Sequence, residues 1–201
     1  MQERQFAAAL HDHLPRLSKE HYRGLAFVHW SMAIKNRGTG WLTELFHSRF
    51  REVLLHTAIR YELVCPTYCL MPDHFHCLWL GIALRADQLQ AAAFFHRQIN
   101  GLLKPRSLQK QAYDHVLSRE EREHGAFQRL AFYIFENPVR KKLVEQASDY
   151  PFSGTLVPGY PDLSMHGAGY WDLFWNLYEA RIRHAVTGAA TGTVSTPPSS
   201  V

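Results

Sequence analysis

The stretch from Cys69 to Gly81, CLMPDHFHCLWLG, sets two histidines either side of a phenylalanine inside an otherwise apolar run. Successive side chains of a strand point to opposite faces, so His74 and His76 share one face and Phe75 and Cys77 share the other. Two imidazoles spaced this way can converge on one metal ion, while Phe75 anchors the strand in the core. Such a pair needs at least one further ligand from elsewhere, with water or substrate completing the sphere. Other readings stay open on the residues alone. The histidines can be a solvated pair on the outer face of a strand. They can also join Cys65 and Cys69, whose C-x3-C spacing falls in the structural zinc range. Pro66 and strand alternation, however, make it hard to aim both thiols at one point. A nucleotide hydrolase with three alternating histidines is disfavoured, because Leu78 holds the third place.

A second stretch, AFYIFENPVRKKLV from Ala131 to Val144, carries Tyr133 and Asn137 at i and i+4, on one helix face. Phe132 and Phe135 are placed to pack inward. The tyrosine is either a core residue with its hydroxyl at the rim or a group that does chemistry. Arg140-Lys141-Lys142 follow one turn after the Asn137-Pro138 stop. Alone they make a solvated basic edge; beside a tyrosine hydroxyl they can hold a phosphate.

The elements that would position these residues read as follows. Residues 26–34 form a strand, and 36–40 a turn cluster. A helix follows, capped by Thr43, with Leu42, Leu45, Phe46, Phe50, Val53, Leu54 and Ile59 as its apolar positions. A β-hairpin pairs 63–71 with 74–80 through Pro72-Asp73, and Pro66 implies an edge or a bulge in its first strand. A second helix covers Asp87 to about Leu103. Residues 109–117 are a short strand or a loop. Helices cover 119–135 and 139–146, residues 151–161 are turn-rich, and 169–185 form an aromatic helix. This order predicts an α+β fold: a ferredoxin-like antiparallel sheet with helices packed on one face and a C-terminal helical extension. The expected divisions are an N-terminal helix or arm over 1–20, the main domain over 21–155, the extension over 156–185 and a low-complexity, disordered tail over 186–201.

With 201 residues and 46% hydrophobic content, the chain can bury one sizeable core. No apolar run reaches the roughly 20 residues of a membrane span. The start of the chain lacks the order of a signal peptide. Three cysteines are too few for a disulfide framework. A cytoplasmic protein with no membrane partner is expected. The net charge of +4 permits an acidic partner without demanding one.

Together, Met71-Pro72-Asp73-His74-Phe75-His76, the intervening Tyr113-Asp114-His115 segment and Tyr133-x-x-x-Asn137-Pro138-Val139-Arg140-x-x-Leu143-Val144 resemble the single-tyrosine HUH transposases. The nearest branch is the REP-associated tyrosine transposases, and the likeness spans residues 24–155. It implies a metal-dependent transposase that cuts and rejoins single-stranded or hairpin DNA through a covalent 5′-phosphotyrosine. His74 and His76 would be the metal ligands, Asn137 the third ligand, Mg²⁺ or Mn²⁺ the ion and Tyr133 the nucleophile. Arg97, Lys104, Arg106, Arg140, Lys141 and Lys142 would meet the DNA backbone as positioning contacts. The protein would act as a monomer or a homodimer. A relative that has lost catalysis and only binds hairpin or single-stranded DNA is the competing expectation. A small zinc-stabilised interaction module is the third.

Overall fold

The computed structural model describes residues 16–190, with side chains described as far as residue 184. Of the expected arm over 1–20, residues 1–15 lie outside the described residues, as do 191–201 of the expected tail. The elements, in order, are β1 (Phe27–Ala33), α1 (Glu44–Tyr61), β2 (Leu63–Met71), β3 (His74–Gly81), α2 (Gln88–Leu102), β4 (Tyr113–Val116), α3 (His124–Phe135), α4 (Asn137–Arg140), β5 (Ser153–Leu156) and α5 (Tyr170–Ala190). The strands form one sheet in the order β4-β1-β3-β2-β5, with every pairing antiparallel. The α+β reading of the sequence is therefore what the chain builds. No helix among the described residues is long and apolar enough to cross a membrane.

Caps and alternation explain most of these boundaries. Thr43 accepts a hydrogen bond from the Phe46 amide at 3.1 Å and starts α1. Asp87 does the same for α2 through the Gln90 amide at 3.0 Å. β2 and β3 meet as the expected hairpin, with Met71 opposite His74. Pro66 does not interrupt β2. The register shifts between Val64 and Thr67, a bulge that lets a proline sit in an interior strand. The carbonyl of Pro66 then accepts hydrogen bonds from Thr155 Oγ1 at 2.9 Å and Tyr170 Oη at 2.6 Å.

Alternation splits the apolar side chains into two cores. Val28, Trp30, Tyr68, Phe75, Cys77 and Trp79 pack with Phe46, Phe50 and Leu54 of α1 and Phe95 and Ile99 of α2. Phe27, Cys69, Met71, Leu78 and Leu80 pack on the other face with Phe127 and Ile134 of α3 and Phe174, Trp175 and Tyr178 of α5. The expectation of helices on one face thus holds for α1 and α2 but is incomplete. α3 and α5 cover the second face, because the strands carry apolar residues at both phases of the pleat.

Several local expectations are corrected. Leu45 and Ile59 on α1 are 71% and 61% exposed, so the inner stripe is narrower than the periodicity indicated. The helix expected from 119 begins only at His124, after a 3-10 turn at Glu120–Arg122. The helix expected over 139–146 instead spans Asn137–Arg140; α3 stops at Phe135 just ahead of Asn137-Pro138, as expected, and Pro138 also lies in the first turn of α4, a position that suits proline. The turn-rich stretch 151–161 contains β5, and α5 continues past residue 185 to Ala190.

Candidate active site

The two motif histidines stand on the sheet face that α3 covers. Phe75, between them, is 1% exposed and packs against Phe50 at a centroid distance of 5.3 Å in the opposite core. This fixes the strand, so His74 and His76 are presented together. Their Nε2 atoms lie 3.0 Å apart with the rings at 88°. His74 Nδ1 donates to Asp73 Oδ1 at 2.5 Å, and Arg37 Nε sits 3.1 Å from the other carboxylate oxygen. His76 Nδ1 lies 3.0 Å from Nε2 of His29, which β1 delivers to the same face. His115 of β4 stands directly opposite His29, and its Nε2 donates to Glu121 Oε1 at 2.8 Å.

Burial keeps His29, His74 and His76 uncharged. Burial pushes His76 down to about 2, helped by His29 and His74. Burial brings His29 down to about 4. His74 is also lowered, mainly by burial, although the Asp73 carboxylate works the other way. Burial opposes ionisation of Asp73, but its hydrogen bond with His74 and the charge of Arg37 outweigh that and hold it below the ordinary range. Neutral imidazoles are the form that binds metal.

The donor set fits a small divalent ion. Adjacent donors on an ion with bonds of ~2.1 Å are separated by ~3 Å, the spacing found between the two Nε2 atoms. Asn137 is 8% exposed, and its Nδ2 is buried without a hydrogen-bond partner among the described residues. A buried N–H donor left unpaired is costly and calls for an acceptor such as a phosphate or water oxygen, while the amide oxygen Oδ1 is the atom that could meet an ion. Among the described residues, no three His, Cys, Asp or Glu side chains cluster as a metal site. Two imidazoles and an amide would leave room for phosphate and water oxygens, which suits Mg²⁺ or Mn²⁺ better than a closed structural zinc. The zinc alternative fails on geometry: Cys65 lies in one core and Cys69 in the other, on opposite faces of the sheet.

Tyr133 sits near the end of α3 and is 48% exposed. Its hydroxyl makes no hydrogen bond among the described residues, and the Arg140 guanidinium lies 4.0 Å from its ring centroid. The next residue, Lys141, is close enough for its charge to lower His74. Arg140 thus touches the tyrosine ring, and the charge of its neighbour Lys141 is felt at His74. Lys142, at φ 56°, turns the chain away after α4.

The other basic candidates are not gathered here. Arg97 is on α2, in the layer across the sheet, with its guanidinium 5.6 Å from the ring centroid of Phe94. Lys104 and Arg106 flank Pro105 beyond that helix. The loop they belong to returns to the sheet beside the hairpin turn: the Lys35 amide donates to the Ser107 carbonyl, and the Ile34 amide to that of Asp73. The aromatic segment 170–178 is core, with Phe174 1% exposed. His29, Arg37 and the role of Asp73 were not singled out from the sequence. Phe27-x-His29-x-Ser31 does alternate correctly, but which strand faces β3 is not written in local pattern.

No family model matches the chain. A Haemophilus influenzae protein bearing the name REP-associated tyrosine transposase is 26% identical over 176 residues, covering 72% of this chain and 93% of the relative. A solved REP-associated tyrosine transposase bound to a REP hairpin superposes with a TM-score of 0.58 at 22% identity, covering 70% of this chain and 81% of that one. In sequence and in fold, the chain is therefore similar to REP-associated tyrosine transposases.

Proposed function

We propose that this protein is a metal-dependent DNA-strand transferase acting on single-stranded or hairpin DNA, with Tyr133 as nucleophile and His74, His76 and Asn137 as metal ligands. The observation that carries this reading is the pair of Nε2 atoms 3.0 Å apart on the sheet face against which the tyrosine helix packs. The relative that was solved with a REP hairpin supports a hairpin as the DNA form.

Each residue has a definite task. The Tyr133 oxygen attacks the scissile phosphorus, the bond to the 3′ oxygen breaks, and the phenol proton leaves to solvent while the 3′ oxygen takes one up. The products are a 5′-phosphotyrosine and a free 3′ hydroxyl. The covalent link conserves the phosphodiester, so a 3′ hydroxyl can later displace the tyrosine without ATP. Bound Mg²⁺ or Mn²⁺ would supply charge stabilisation on the phosphate. Asp73 fixes the tautomer of His74 so that Nε2 keeps its lone pair. Arg140 holds the tyrosine ring, and Lys141 and Lys142 add positive charge for the strand. Arg97, Lys104 and Arg106 would meet a longer or folded DNA away from the cleavage point.

Incubation with a hairpin oligonucleotide and Mn²⁺, followed by a denaturing gel, tests the proposal. A slow-migrating protein–DNA species that disappears in Tyr133→Phe supports a strand transferase. DNA binding without any such species, whatever the divalent ion, would leave a binding protein derived from a transposase.

A further inference from the structure

The Nδ1 atoms of the two proposed ligands are held by different partners. His74 is held by its neighbour Asp73, whereas His76 has no carboxylate: its Nδ1 meets Nε2 of His29 at 3.0 Å. The direct cross-strand partner of His76 is Ser31, two residues further along β1, so His29 reaches the ring diagonally. The small Ser31 leaves that path open. The two rings lie 5.1 Å apart between centroids, with planes 35° apart. His115, the other titratable group facing His29, is directed to Glu121.

We infer that His29 is the positioning residue of His76, setting the tautomer and ring orientation in which His76 offers Nε2 to a divalent ion. The inference rests on the reading of His74 and His76 as ligands. An imidazole that gives one nitrogen to an ion must carry its proton on the other, and that N–H needs an acceptor. For His76 the acceptor in place is His29 Nε2. A neutral imidazole suits the task because its Nε2 can accept or donate. With no ion bound, His29 can donate to His76 Nδ1 while His76 Nε2–H donates to His74 Nε2. With an ion bound, only the His29–His76 bond would reverse, His76 Nδ1–H donating to His29 Nε2, while the hydrogen between the two Nε2 atoms would be gone because both lone pairs face the ion. A carboxylate here would hold only one of those two states.

Mn²⁺ titration of the full chain without DNA, read as the loss of the free-ion electron paramagnetic resonance signal, tests this apart from activity. His29→Leu should weaken Mn²⁺ binding by about 10- to 100-fold, the usual effect of removing a partner behind a ligand. His29→Gln, whose amide oxygen can occupy the place of Nε2, should stay near wild type. His29→Asn is equally polar but too short to reach, and should behave like the leucine variant. Melting curves identify variants that fold, and the Gln–Asn comparison carries the result if the leucine variant does not. Unchanged Mn²⁺ binding in His29→Leu and His29→Asn, with binding lost in His76→Ala, would make His29 a filler and overturn the inference alone. Unchanged binding in His76→Ala as well would overturn the ligand assignment beneath it.

Discussion

At the scale of single residues, the proposed site would separate metal chemistry from DNA affinity. His76 is a neutral ring inside the fold, and burial holds it down to about 2. It can offer a lone pair but contributes no charge to a phosphate backbone. His76→Ala should therefore abolish strand cleavage while leaving single-strand affinity, measured by filter binding, within several-fold of wild type, because phosphate contacts by Lys and Arg supply most such affinity. A parallel loss of affinity would show that the histidine contacts DNA itself. The pair His74–His76 was legible because strand alternation is a local rule. His29 was not, since its meeting with His76 depends on which strands neighbour each other and in what register.

At the scale of elements, two contacts show what fixes the frame around the site. Gly81 ends β3 where the chain passes the Gly24 carbonyl, and a Cβ there would lie 1.9 Å from that oxygen. Gly81→Ala should cost about 3 kcal/mol or more, read from chemical denaturation, because backbone must move to admit it. The second contact joins α1 to β2. Arg51 Nη1 donates to Tyr68 Oη at 2.8 Å, and that hydroxyl lies 2.9 Å from His47 Nε2. Burial and then Arg51 bring His47 down to about 4. An unfolded chain takes up this proton near 6.5, whereas the folded one resists until about 4. The contribution of His47 is therefore complete above pH 6.5 and declines as pH falls towards 4, with a slope of up to ~1.4 kcal/mol per pH unit. His47→Gln should flatten the loss of stability over that window. An unaltered slope would mean that His47 is free to protonate in the native state. Cap residues made α1 and α2 readable in advance. The exposure of Leu45 and Ile59 was not, because periodicity cannot say how wide a stripe the neighbouring layer will cover.

At the scale of the whole molecule, the C-terminal extension closes the face that carries the site. Trp175 is 7% exposed, stacks on His124 at 4.1 Å and meets Phe127 of α3 at 5.0 Å. Trp175→Ala should destabilise by about 3–5 kcal/mol, and the lost packing lies directly under the tyrosine helix. Strand cleavage should fall further than the folded fraction does, when both are measured on one sample. The sequence announced this helix through its aromatics but not its partner. Its place follows from the second apolar phase of the strands, which a one-sided sheet would have left bare. The proposed chemistry depends on one bond. Intact-mass measurement after exposure to a hairpin oligonucleotide with Mn²⁺, followed by peptide mapping, reads that bond directly. The predicted result is a 5′-phosphonucleotide on the peptide containing Tyr133, absent in Tyr133→Phe. An unmodified Tyr133 beside cleaved DNA, or the same adduct on another residue, would contradict it.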